Sequence, residues 1–189
     1  MPGTVVEVTE VLVESPLVDG AQALVRRLAV CSTFENAAIC ARQAMTERSG
    51  ETSGILYYVL DMIILDTAHQ MAPTAVFGGD DKLRGMIPGD IEEPWGGHEG
   101  CAFKLGDLVG FVSGGLYRIG VVLALPPTPE EAQRLGATLG DDVYLVGVRG
   151  LHGNPETNEH VPQPLLFPVE EAAPETGTAL KKRAERYGR

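Results

Sequence analysis

Two alternating stretches joined by a pair of glycines constrain this chain more than any other feature. Leu105, Asp107, Val109 and Phe111 alternate with smaller or polar residues, and Tyr117, Ile119, Val121 and Leu123 do the same. A period of two is that of a strand with one covered face. Ser113-Gly114-Gly115 between them supplies residues that reach positive φ without strain, as a tight hairpin requires. Residues 142–149 alternate again as a third strand. Residues 164–169 read as a fourth, with prolines that suit a sheet edge.

The chain's 23 glycines and 13 prolines concentrate after Pro73, where its character changes. Residues 78–100 read as a loop, broken by Gly78-Gly79, Pro88-Gly89, Pro94 and Gly96-Gly97. Before it the pattern is mostly helical. Residues 4–14 carry two signals: the valines favour a strand, while Thr4 with Glu7 forms a capping box and Val5, Val8 and Leu12 share a helical face. The valines weigh towards a strand. Ser15-Pro16 pairs a capping side chain with Pro at the first helical position, and Leu24, Leu28 and Cys31 follow at helical spacing. Ser32-Thr33-Phe34-Glu35 opens a second helix, or marks a bend near Ser32 in a single one, with Phe34, Ala38, Ala41 and Met45 as the shifted stripe. Residues 55–70, nearly all apolar and long for a strand, predict a buried helix. In the second half, Thr128-Pro129-Glu130-Glu131 with Gly136 predicts a short inserted helix, and residues 178–187 a terminal one.

The fold class expected is therefore α+β. A helical region spans residues 1–75, a Gly/Pro-rich acidic connector 76–100, and a small barrel with its inserted and terminal helices 101–189. At 189 residues with 44% apolar side chains, the chain can bury a core without disulfides or a structural metal. The longest apolar run, residues 55–65, is interrupted by Asp61 and is too short to span a bilayer. Residues 1–12 have no basic, then apolar, secretory pattern, so the expected compartment is the cytoplasm. Three cysteines, Cys31, Cys40 and Cys101, make no disulfide framework. The net charge of −11 opposes general affinity for nucleic acid or anionic lipid, which select a clustered positive face.

Residues 103–125, from Phe103-Lys-Leu-Gly-Asp-Leu-Val-Gly-Phe to Gly-Leu-Tyr-Arg-Ile-Gly-Val-Val-Leu, resemble the first hairpin of small SH3-like barrels, with residues 143–169 completing the barrel. Such barrels imply binding more often than chemistry. The same residues, Leu105-Gly-Asp-Leu-Val-Gly-Phe and Arg118-Ile-Gly-Val-Val-Leu, are similar to the barrel of NlpC/P60 and CHAP cysteine peptidases. In that family a His before the second stretch is the base for a helix-borne Cys. Arg118 stands here in its place, and a guanidinium stays protonated and takes no proton from a thiol.

Outside the resemblance, His98, Cys101, His152 and His160 are the one set able to compose a zinc site or a thiol–imidazole pair. Solvated histidines and a Cys101 that merely covers the sheet are the alternative. The acidic connector, Asp80, Asp81, Asp90, Glu92 and Glu93, reads either as a solvated loop or as a face for a basic partner. Trp95 in the same loop suits an interface anchor. Asp61 and Asp66 accompany an apolar run, where a buried carboxylate needs a partner or a raised pKa. Lys181, Lys182, Arg183, Arg186 and Arg189 make the tail basic. No phosphate-cradling loop, dinucleotide fingerprint or nucleophile elbow is present.

The function expected is non-enzymatic binding of another protein, as an adaptor, immunity or regulatory factor, without a cofactor. Trp95, Phe111, Tyr117 and the acidic residues would form the surface. A thiol- or zinc-dependent hydrolase built on Cys101 and the histidines, and an acidic mimic of nucleic acid, are the alternatives.

Overall fold

The computed structural model describes residues 3–48, 54–64, 70–78, 83–86, 103–127, 143–152, 155–170 and 172–187. They divide into two compact units. One comprises Met1–Glu14 with Ala23–Gly97, the other Ser15–Gln22 with His98–Arg189.

The first unit is a five-stranded antiparallel sheet in the order β2-β1-β3-β4-β5. Its strands are β1 (Thr4–Val13), β2 (Leu24–Cys31), β3 (Ile55–Ile64), β4 (Gln70–Gly78) and β5 (Leu83–Met86), with α1 (Phe34–Arg48) between β2 and β3. β1 pairs with β2 from Leu12 opposite Leu24 to Val6 opposite Cys31, and with β3 from Thr4 opposite Ile64 to Val13 opposite Ile55. Alternation sends Val6 and Val8 to the face under α1, where they meet Tyr58 and Leu60 from β3 and Ala37, Ala38, Ala41 and Met45 from the helix. Three alanines in that stripe let the helix backbone lie close to the sheet. Thr33 caps α1, its Oγ1 accepting the Asn36 N–H at 3.2 Å.

The second unit is also a five-stranded antiparallel sheet, in the order β10-β6-β7-β8-β9. Its strands are β6 (Leu108–Ser113), β7 (Leu116–Ala124), β8 (Val143–Val148), β9 (Thr157–Pro162) and the two-residue β10 (Phe167–Pro168). A 3₁₀ turn, Gln163–Leu165, precedes β10, and α2 (Pro174–Tyr187) closes the order. Gly114 and Gly115, at φ 58° and 77°, turn the β6–β7 hairpin. Val109, Phe111, Val122, Tyr144, Val146, Val148, Val161 and Leu166 form its core, with Phe103 set edge-on to Tyr144 at 5.8 Å. The Tyr144 hydroxyl donates to Gln163 Oε1 at 2.9 Å and accepts the Phe103 N–H at 3.3 Å. One side chain thus fixes the segment entering β6 and the 3₁₀ turn leaving β9. α2 packs against β7 and β8, with Leu180 buried.

Several expectations are overturned. The N-terminal half is not helical: it begins with strands, and α1 is the one helix among its described residues. Leu24, Leu28 and Cys31 lie in β2, because pairing with β1 outweighs their helical spacing, and residues 16–20 form turns with no helix. Residues 55–64 are β3 and not a buried helix. A central strand with both faces covered reads as a continuous apolar run, as a buried helix segment does. The SH3-like barrel is likewise corrected, and with it the likeness to the NlpC/P60 barrel. The second sheet is open, ending at β10 and β9, and does not close on itself. Residues 164–169 supply a 3₁₀ turn and the short β10, while the fourth long strand is β9. Within the expected loop, Leu83–Met86 is β5. The expected helix near Thr128 lies outside the described residues. What holds is an α+β arrangement richer in strand than helix. Among the described residues, no helix is long and apolar enough to cross a membrane.

Candidate functional site

Among the described residues of the first unit, Arg26 and Arg48 both gather on Glu10. The parity of Glu10 along β1 is that of Val6, Val8 and Leu12, so the strand's own alternation carries a carboxylate onto the covered face, where it is 3% exposed. Register places Arg26 of β2 and Tyr58 of β3 directly opposite it on either side. Arg26 Nη2 lies 3.2 Å from Glu10 Oε1, and Arg48, from the last turn of α1, donates to the same oxygen at 3.0 Å. The Tyr58 hydroxyl donates to Oε2 at 3.2 Å. Burial, and then the negative charge of Glu10, push the Tyr58 hydroxyl up to about 12. A buried carboxylate is costly unless paired, and here both oxygens have partners.

On the opposite face, Glu7 of β1 and Asp61 of β3 stand directly across the ladder. Arg27 Nη2 meets Glu7 Oε2 at 2.6 Å, while Asp61 Oδ1 is buried with no partner among the described residues. Burial first, and Glu7 second, raise Asp61 to about 6. The Cys40 thiol of α1 is also raised, by burial and then by Cys31 and Glu47, which holds it in its less reactive protonated form.

β2 is the edge of this sheet. Leu24 and Val25 are 51% and 55% exposed and Val30 is 54% exposed, so apolar side chains flank an outer backbone edge that no described strand pairs.

In the second unit Arg118 makes ion pairs and accepts no proton from a thiol. Its Nε lies 3.2 Å from Asp19 Oδ1, its Nη2 donates to the Arg149 carbonyl, and Glu159 stands 4.0 Å away. Asp19 Oδ1 also accepts the Ile119 N–H at 3.0 Å. Two backbone bonds beside it, Gly20 N–H to the Tyr117 carbonyl and Tyr117 N–H to the Ala21 carbonyl, tie residues 15–22 to β7. A surface groove of about 450 Å³ runs along α2, lined by Glu156, Ala179, Lys182, Glu185 and Arg186; Arg183 and Arg186 both pair with Glu156.

Of the residues expected to form a site, Phe111, Tyr117, His152 and His160 are among those described. Phe111 is 2% exposed and belongs to the core. Tyr117 is 1% exposed, lies over Gly110, and its hydroxyl has no partner among the described residues; burial and then Asp19 push it up to about 12. His152 sits in the turn after β8 at φ 53°, whereas His160 is opposite Leu145, three residues into β9 and about 10 Å along the strand. Asp80, Asp81, Asp90, Glu92, Glu93, Trp95, His98 and Cys101 lie outside the described residues, as does Asp66. Among the described residues no three His, Cys, Asp or Glu side chains gather as a metal site would need.

The Glu10 cluster and the β2 edge were not foreseen. A signal existed for the first, a carboxylate on the apolar parity of Val6-x-Val8-x-Glu10-x-Leu12, but only a reading of residues 4–14 as a strand brings it out. Comparison of the chain with family models, with curated proteins and with solved structures finds no match in any of the three.

Proposed function

We propose that the protein is a non-enzymatic binding protein that engages another protein in the cytoplasm, with the edge of β2 as its surface. The observation that carries this reading is the exposure of Leu24, Val25 and Val30 along an unpaired strand edge. An extended segment can add to such an edge through backbone hydrogen bonds, with alternate side chains giving specificity. A second copy of the same strand is a poor occupant. In a two-fold antiparallel pairing centred on β2, Arg26 and Arg27 would face their own copies or stand diagonal to them, and like charges so placed are destabilising. The net charge of −11 favours a partner with a basic face.

The test is affinity capture from native extract with the full chain and with a Val25→Lys, Val30→Lys variant. Both positions are solvent-exposed on an edge strand, where lysine is tolerated. A partner recovered by the first and lost by the second, at unchanged melting temperature, supports the reading; equal recovery overturns it. A thiol- or metal-dependent hydrolase predicts instead stoichiometric zinc, or a Cys101 that alkylates far faster than a free cysteine at neutral pH.

A further inference from the structure

Two arginines from different elements converge on one oxygen. The Nη2 atoms of Arg26 and Arg48 both meet Glu10 Oε1, at 3.2 and 3.0 Å, so they lie within about 6 Å of each other. Glu10 is buried and its other oxygen is held by Tyr58, so the carboxylate is a fixed post. Among the described residues the cluster holds two cations and one anion, a local positive excess in a chain of net charge −11. Each guanidinium carries five N–H donors; among the described residues Arg48 donates one to Glu10, and Arg26 meets the same oxygen as an ion pair. Both reach solvent, the Arg26 side chain at 57% exposure and that of Arg48 at 30%.

A carboxylate fills one guanidinium fork. Two forks anchored on separate elements can together serve the three oxygens of a phosphoryl group, and their excess charge offsets part of its negative charge. We propose that Arg26 and Arg48, held on Glu10, bind a phosphoryl oxyanion, either inorganic phosphate or a small phosphate ester. The site does not depend on the protein-binding reading above, because its donors are side chains on the α1 face of the sheet and not the backbone edge of β2.

Arg27 provides the internal control. It is the next residue on β2, it pairs with Glu7, and it points to the opposite face. The full chain is titrated at low ionic strength and neutral pH, with inorganic phosphate in one arm and phenyl phosphate in the other. Calorimetry and ³¹P line broadening read the binding, and a melting curve is recorded for every variant. The expected result is one-to-one saturation that weakens about tenfold or more in Arg26→Ala and in Arg48→Ala. Arg26→Lys, which keeps the charge and loses the fork, weakens it similarly. Arg27→Ala weakens it by less than about threefold, as loss of a screened distant charge does. Should Arg48→Ala fail to fold, the Arg26 and Arg27 variants decide. Saturation with inorganic phosphate alone assigns the site to the free anion; saturation with both probes assigns it to the phosphoryl group of an ester as well. Absence of saturation, equal losses in Arg26→Ala and Arg27→Ala, or wild-type affinity in Arg26→Lys overturns the proposal.

Discussion

Gly147 leaves the space that Arg183 fills. A Cβ at position 147 would come within 2.6 Å of Arg183 Nε and 2.8 Å of Leu123 Cδ1. Through that gap the α2 guanidinium reaches the Val148 and Thr157 carbonyls and Asn158 Oδ1, each at 2.6 Å, and Glu156 at 3.1 Å. Arg183 thereby joins α2 to the ends of both β8 and β9.

Gly147→Ala is expected to displace Arg183 and cost about 1–3 kcal/mol, as overpacking does. Chemical denaturation measures it. Because both changes break the same contacts, Gly147→Ala combined with Arg183→Ala should cost less than the two single losses added together.

Glu10→Gln leaves two guanidiniums without a charged partner. Removing one member of a fully buried ion pair costs about 3–5 kcal/mol. Arg26 and Arg48 reach water, so a loss of about 2 kcal/mol is expected here. Tyr58→Phe removes one charge-assisted hydrogen bond and is expected to cost about 1–2 kcal/mol. Urea melts of the two single variants and the double variant measure the coupling.

Asp61 makes stability fall as pH rises. Its folded-state pKa, about 6, lies above the ordinary aspartate value of 3.8, so the folded chain binds this proton more tightly than the unfolded one. The contribution is fully present below about pH 4, declines between about pH 4 and 6, and is gone above. Asp61→Asn should abolish that decline. At neutral pH it should be the more stable form, by about 1 kcal/mol once the carboxyl's partial solvation is allowed for. Melting temperatures across this range decide the matter; a wild-type profile no steeper than that of the variant would refute it.

Asp19→Ala removes the acceptor for both the Arg118 Nε–H and the Ile119 N–H. Arg118 is left largely buried and short of one charge partner, so a loss of about 2–3 kcal/mol is expected. Hydrogen exchange should speed up at the Gly20 and Tyr117 amides, which bridge residues 15–22 and β7.

The β6–β7 hairpin was legible because two independent signals, alternation and a Gly-Gly turn, name the same structure. α1 was legible from its cap and its alanine stripe. β2 and β3 were not. Leu24, Leu28 and Cys31 satisfy a helical period by accident of spacing, and only pairing with β1 selects the strand. In β3 both faces are covered, which erases the alternation that marks a strand. Sheet closure was equally invisible, because local alternation fixes which side chains share a face and not whether the end strands meet. Glu10 followed the same logic: its role depends on three partners 16, 38 and 48 residues away in Arg26, Arg48 and Tyr58, which only the folded register brings together.

Residues 15–22 belong with a sheet whose first long strand begins more than eighty residues later, and Asp19 must wait 99 residues for Arg118. On a ribosome adding about 5–20 residues per second, that interval is on the order of 5–20 s. For that time the nascent chain carries a finished acceptor without its donor. A gene fragment beginning at β6 would therefore omit part of the framework of its own sheet.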